Sequence, residues 1–193
     1  MKKIAFYSIT LSSFLLQSAV FADASETTYA IEIDPLTFAL DGYSLHARVS
    51  PKNLPHWRFG AGIYSMEFPD VFVDMNSDNK NKGWQVELDQ GIGLFTEYYL
   101  RNNREGWFVG AQLAQQEFSI QNDQTGSQQQ QFKNLLLMPY TGYRWPLNNE
   151  LYVQGWFGVG YTEKSSGNTQ LGENNYDIDP LVPFGAIHVG YEF

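Results

Sequence analysis

The 193-residue chain has no cysteine. Disulfide staples, thiol nucleophiles and cysteine-based zinc sites are excluded, so a chain of this size must draw its stability from another source. Long hydrophobic runs are missing as well. Past the first residues no segment approaches the ~18 uncharged apolar residues that a membrane-spanning helix requires. Basic residues are scarce, 12 Lys and Arg against 21 Asp and Glu, for a formal net charge of -9. No basic stripe is visible, which argues against nucleic acid as a partner. Only three histidines occur, and no cofactor or metal is expected.

What is present begins with a charged start. Lys2 and Lys3 precede an apolar stretch from Ile4 to Val20, softened by serines, and Val20-Phe21-Ala22 offers small residues for cleavage. This order reads as a secretory signal, cut after Ala22 or after Ala24. As an anchor the stretch falls short of the ~20 residues of a span. The expected organisation is a signal peptide over 1–22 and one domain over 23–193. Removing two lysines and no acids leaves 21 acids against 10 bases, a net of -11. The mean hydropathy of -0.34 is neutral for a membrane barrel. Strands that face lipid on one side and a polar lumen on the other alternate, and they give no hydropathy peak. Aromatic residues make up 16% of the chain and gather at the ends of the apolar alternations, where such barrels place interfacial girdles.

The sharpest pattern lies at the end. From Pro183 onward, Ile187, Val189, Tyr191 and Phe193 share one face, and Ala186, His188, Gly190 and Glu192 share the other. That is the two-residue repeat of a strand with one greasy side and one small or polar side. With an aromatic as its last residue, this segment resembles the terminal strand of bacterial outer-membrane barrels. The resemblance implies that Phe193, Tyr191 and Val189 form a signal read by the barrel-assembly machinery, and that the protein is exported through the periplasm to the bacterial outer membrane.

Alternation recurs upstream. Leu151 to Tyr161 and Asn134 to Trp145 are strands, the second with Pro139, which should cause a bulge or a locally broken pair because proline lacks a ladder donor. The facing of Leu136 and Met138 is ambiguous. Gly106 to Ile120, Ile92 to Arg101, Trp57 to Tyr64 and Tyr43 to Val49 add four more, making seven. Bacterial single-chain barrels are even-numbered, and Tyr29 to Leu40 supplies the eighth, with a phase change at Pro35 and an Asp41-Gly42 hairpin turn. Connections are then short at 41–42, 50–55, 102–105 and 146–149, and long at 67–83, 121–131 and 163–181. Apart from the first hairpin, short turns fall on one side and long loops on the other. The expected fold is an all-β, eight-stranded antiparallel transmembrane β-barrel with short periplasmic turns and longer external loops. Over nearly all of its mature length the chain resembles the OmpA/OmpX-like and opacity-like class of small outer-membrane barrels. That likeness rests on the terminal strand, strand number and loop asymmetry, with no family motif from which active residues could be transferred.

These phases turn Glu32, Asp34, His46, Arg48, Arg58, Glu97, Gln112, Gln116, Arg144, Gln154, His188 and Glu192 toward the axis. Eight strands enclose a bore that side chains just fill, so a self-satisfying network of Arg, Glu and Gln is expected rather than a pore. Small barrels can also be lipid-modifying enzymes using Ser and His. Here His46 has Ser44 two positions away but no evident acid, His56 lies in a turn, and the His-x-Ser-Asn signature of lipid A deacylase is absent. Asp74 to Lys80 resembles the start of a calcium loop, yet Asn79 stands where glycine is required and Gln85 where the terminal acid belongs. Asx-turn chemistry accounts for it better. The leading expectation is a non-enzymatic barrel in contact with outer-membrane lipid and lipopolysaccharide, with a structural or surface-interaction role through its external loops and an external partner that the sequence does not name. The alternatives are a lipid-modifying enzyme and a soluble periplasmic barrel that holds a small apolar ligand.

Overall fold

Side chains that alternate between greasy and polar suit an extended backbone, whose unpaired N–H and C=O groups are then satisfied only by neighbouring strands. The computed structural model of the chain describes residues 26–101, 104–126 and 128–193. The signal segment, both cleavage positions and the Asn102-Asn103 pair of one turn lie outside them. The strands are β1 (Thr28–Ile33), β2 (Tyr43–Ser50), β3 (Trp57–Glu67), β4 (Trp84–Tyr99), β5 (Gly106–Asn122), β6 (Gln129–Pro146), β7 (Leu151–Gly167), β8 (Gln170–Leu171), β9 (Asn174–Asn175) and β10 (Leu181–Glu192). Eight of them close in the order β1-β10-β7-β6-β5-β4-β3-β2, every pair antiparallel. Closure gives every strand of the ring a partner on both sides, over only part of its length at the β1–β10 seam. The seam between β1 and β10 is clasped by two further bonds: Tyr29 N donates to Phe193 O at 2.9 Å and Phe193 N donates to Tyr29 O at 2.8 Å. Strands β8 and β9 form a separate hairpin within the last loop.

The structure corrects the reading of 29–40 as one strand. β1 stops at Ile33 and a helical turn, α1 (Pro35–Ala39), follows. Asp34 is its N-cap, its side chain accepting from Leu36 N at 2.9 Å, and Pro35 occupies the first turn, where no backbone donor is needed. The connection is therefore 34–42 rather than a tight Asp41-Gly42 hairpin. A Cβ on Gly42 would sit 2.0 Å from Ser65 O, so only glycine fits beside β3. With this correction the first connection joins the longer ones at one end of the barrel, and the exception to the turn asymmetry disappears.

The loop expected at 121–131 is also shorter. β5 runs to Asn122, β6 begins at Gln129, and their ladder holds through Gln121↔Gln129. Likewise β7 continues to Gly167 before its loop begins. Pro139 makes no bulge. The β6–β7 pairing passes from Leu137↔Tyr161 to Tyr140↔Gly158 in unchanged register, skipping Met138 and Pro139, which is a locally broken pair. Register shifts fall instead between Tyr64 and Met66, between Leu88 and Gln90, and between Lys133 and Asn134.

β1 is short, and this shapes the wall. It pairs with β10 only from Ala30↔Glu192 to Ile33↔Val189, so the remainder of β10 is laddered to β7 alone. In that notch α1 packs against β10, β2 and β3.

Candidate functional site

Two surfaces result from the alternation, one inside the ring and one outside. The outer surface is apolar around the barrel: Leu94, Leu113, Leu137, Phe157 and Ile187, on five different strands, are each at least half exposed. Rings crowd its short-turn end. Tyr29 stacks on Phe193 at 6.4 Å between centroids, Trp57 meets Tyr98 at 5.2 Å, and Trp107 meets Tyr143 at 5.3 Å. Toward the long loops the same outward rows turn polar, with Gln85 and Glu87 on β4, Gln129 and Gln131 on β6 and Glu163 to Ser166 on β7. There Lys133 Nζ and Glu117 Oε2 pair at 2.9 Å on the surface. At about 3.3 Å per residue and the tilt of about 40° usual in such barrels, Leu151 to Tyr161 rises about 25 Å, the height of a lipid-facing band.

Inside, the half of the lumen near the short turns is a polar plug. Glu32 from β1 is completely buried and is held by Arg48 Nε at 2.8 Å, Arg58 at 2.7 Å, the Tyr152 hydroxyl at 2.7 Å and His188 Nδ1 at 3.1 Å. Glu97 from β4 accepts from the Tyr99 hydroxyl at 3.0 Å and Gln154 Nε2 at 2.8 Å, with Arg58 at 3.6 Å and Arg48 at 3.8 Å. Two carboxylates thus face two guanidiniums, a neutral quartet. Taking such charges out of water is expensive, and only this density of partners offsets it. Arg144 pairs with Glu192 at 2.8 Å and lies 3.7 Å over the Tyr152 ring. The structure therefore brings Glu32, Arg48, Arg58, Glu97 and His188 into one network, and sets Arg144 and Glu192 at its edge. His46 adjoins it by stacking on His188 at 4.7 Å.

The other half of the lumen is apolar, which strand-by-strand phasing did not expose. Trp84, Leu88, Phe118, Ile120 and Phe132 are buried there and joined by Val73 and Leu171 from the loops. Leu136 and Met138, ambiguous in sequence, point inward with exposures of 4% and 3%. Between this cluster and the polar plug is a cavity of about 130 Å3. The loop helix α2 (Asp70–Val73) and residues 176–179 roof it.

No nucleophile constellation forms among the described residues. Ser44 Oγ lies against the backbone N of Asp34, which donates to it at 2.5 Å, and not against His46. His56 binds the carbonyl of Tyr99 through Nδ1 at 2.8 Å. No group of three His, Asp or Glu residues suited to a metal is found among the described residues. The Asp74–Lys80 loop is built from Asx turns: Asn76 Oδ1 accepts from Asp78 N at 2.9 Å, and Asn79, 1% exposed, exchanges two bonds with the backbone of Asp177 at 2.7 and 2.9 Å.

No family model and no curated protein matches the sequence. Among solved structures, the chain is similar to a major outer membrane protein from Thermus thermophilus, with a TM-score of 0.43 and 16% identity, over 86% of this chain and 99% of that one.

Proposed function

We propose that the protein is an exported, non-enzymatic integral barrel of the bacterial outer membrane, with a structural or surface-interaction role carried by the segments 34–42, 68–83, 123–128 and 168–180. One observation carries this reading: a continuous apolar belt on the outside of a closed ring whose axis holds buried ion pairs. A water-soluble barrel arranges its residues the other way, and an exposed apolar area of this extent would drive aggregation in water. In a bilayer the same belt faces hydrocarbon, the ring satisfies most of its ladder groups internally, and the aromatic end sits at the headgroups.

On this reading the belt contacts outer-membrane lipid and the acyl chains of lipopolysaccharide, and Phe193, Tyr191 and Val189 present the terminal pattern to the assembly machinery. The buried quartet serves as a plug that stops conduction, because its charges neutralise one another and fill the bore. Fractionation tests the placement. The protein is expected in the outer-membrane fraction, migrating faster in a detergent gel when unheated than when boiled. Recovery in the soluble periplasm, with no such shift, would instead favour the soluble ligand-holding barrel.

A further inference from the structure

The cavity between the polar plug and the loops has about 130 Å3, close to the size of interior cavities that take up a single ring compound. Its walls include Tyr64, Phe95, Phe118, Met138 and Trp156, a surface that gains by contact with an apolar body. Three buried atoms on the described lining residues have no hydrogen-bond partner, and one of them, His46 Nδ1, lies against Gly62. Asn134 Oδ1 and Thr162 Oγ1 are buried, line the cavity and have no hydrogen-bond partner. They stand together, since Asn134 pairs with Lys164 and the neighbouring inward residue Leu136 pairs with Thr162, which makes them diagonal neighbours across β6 and β7. Side chains 97% and 94% buried without a partner are uncommon, and a ligand bringing one hydrogen-bonding group would satisfy them.

Charge narrows the class further. Asp34, Asp177 and Asp179 line the cavity, and among the described lining residues there is no lysine or arginine. An anionic headgroup entering there meets repulsion without a counter-charge. We propose that this chamber is a binding site for a neutral, mostly apolar small molecule, about the size of a single aromatic ring, whose single hydroxyl-type group sits against Asn134 and Thr162. The site belongs to the lumen alone, so it stands or falls separately from the placement of the belt in lipid.

Three probes that share one body and differ in the polar group test it: phenol, benzene and benzoate. Each is titrated calorimetrically at neutral pH into the folded protein in phosphatidylcholine nanodiscs, with empty nanodiscs subtracted, or in plain buffer if the protein proves soluble. The expected result is saturable one-to-one binding of phenol, about tenfold tighter than benzene, with benzoate weaker than both. Ala186→Phe, which projects a ring into the cavity from β10, is expected to abolish binding, and Ala186→Leu serves in its place if that variant does not fold. The pair Asn134→Leu and Thr162→Val is expected to weaken phenol about tenfold while leaving benzene unchanged. Absence of saturable phenol binding, binding indifferent to the filled cavity, or equal affinity for benzoate would overturn the proposal.

Discussion

Glu32 Oε1 lies 2.7 Å from a guanidinium nitrogen of Arg58, with both side chains shut away from solvent and drawn from strands that are not neighbours in the ring. The contact therefore reaches across the bore and ties β1 to β3 over the top of β2. Arg58 also reaches Gln154 at 3.3 Å and donates to the Tyr152 hydroxyl, so one residue spans three walls.

Arg58→Met should consequently leave Glu32 and Glu97 short of a counter-charge. A loss of about 3 kcal/mol in unfolding free energy is expected from urea titration in lipid vesicles, as for other broken buried pairs. The double variant Glu32→Leu with Arg58→Met is expected to lose less than the single one, because no uncompensated carboxylate remains at that contact.

Phe193 joins the barrel twice, through its main chain to Tyr29 and through its ring stacked on Tyr29 and Tyr191. Phe193→Ala keeps the first and removes the second. In vitro stability should fall by only about 1 kcal/mol, the scale of an aromatic pair. The amount assembled in the outer membrane of cells should fall far more, measured by heat-shifted band intensity. Equal, small effects in both assays would remove the assembly role assigned to this side chain.

Loops 68–83 and 168–180 are pinned together where Asn79 exchanges bonds with Asp177. Asn79→Ala removes both bonds to the Asp177 backbone, at about 1 kcal/mol each. Limited proteolysis should cut 68–83 several-fold faster in the variant, with the barrel ladders untouched.

Tyr176, in the 168–180 loop, packs on Trp84 and Phe132. Burial, with Asp179 nearby, pushes its phenol up to about 12. Because the folded value exceeds the ordinary one near 10, stability tied to the neutral phenol is whole below pH ~10 and is lost as pH climbs through ~12. Relative to Tyr176→Phe, the natural protein should lose up to about 2 kcal/mol across that window, read from unfolding curves at stepped pH.

The barrel wall was legible because each strand carries its own two-residue rhythm. The inward row from Glu32 to Glu192 could be read without knowing which strands touch, since facing is a local property. Which inward residues meet is not local. The convergence of Arg58, Tyr152 and Gln154 depends on ring order and strand stagger, which the phases do not encode. Leu36, Phe38 and Leu40 misled because apolar residues two apart suit a strand as well as a short helical turn. The usable signal was Asp34-Pro35, a capping residue followed by a first-turn proline. The glutamines from Gln121 to Gln131 misled differently. Above the apolar belt the outer face meets water, so a continuing ladder needs no apolar residue there. The cavity escaped notice because it is a deficit of volume summed over several strands.

The chain's lack of cysteine makes the central claim directly measurable. A fluorophore attached at Leu94→Cys, in the middle of the belt, and another at Gln129→Cys, above it, can be compared in bilayers carrying spin labels on the acyl chains. Strong quenching at position 94 with little at 129 is the expected result. Equal exposure of both labels to a water-soluble quencher, with no acyl-chain quenching at 94, would contradict the placement of this belt in lipid.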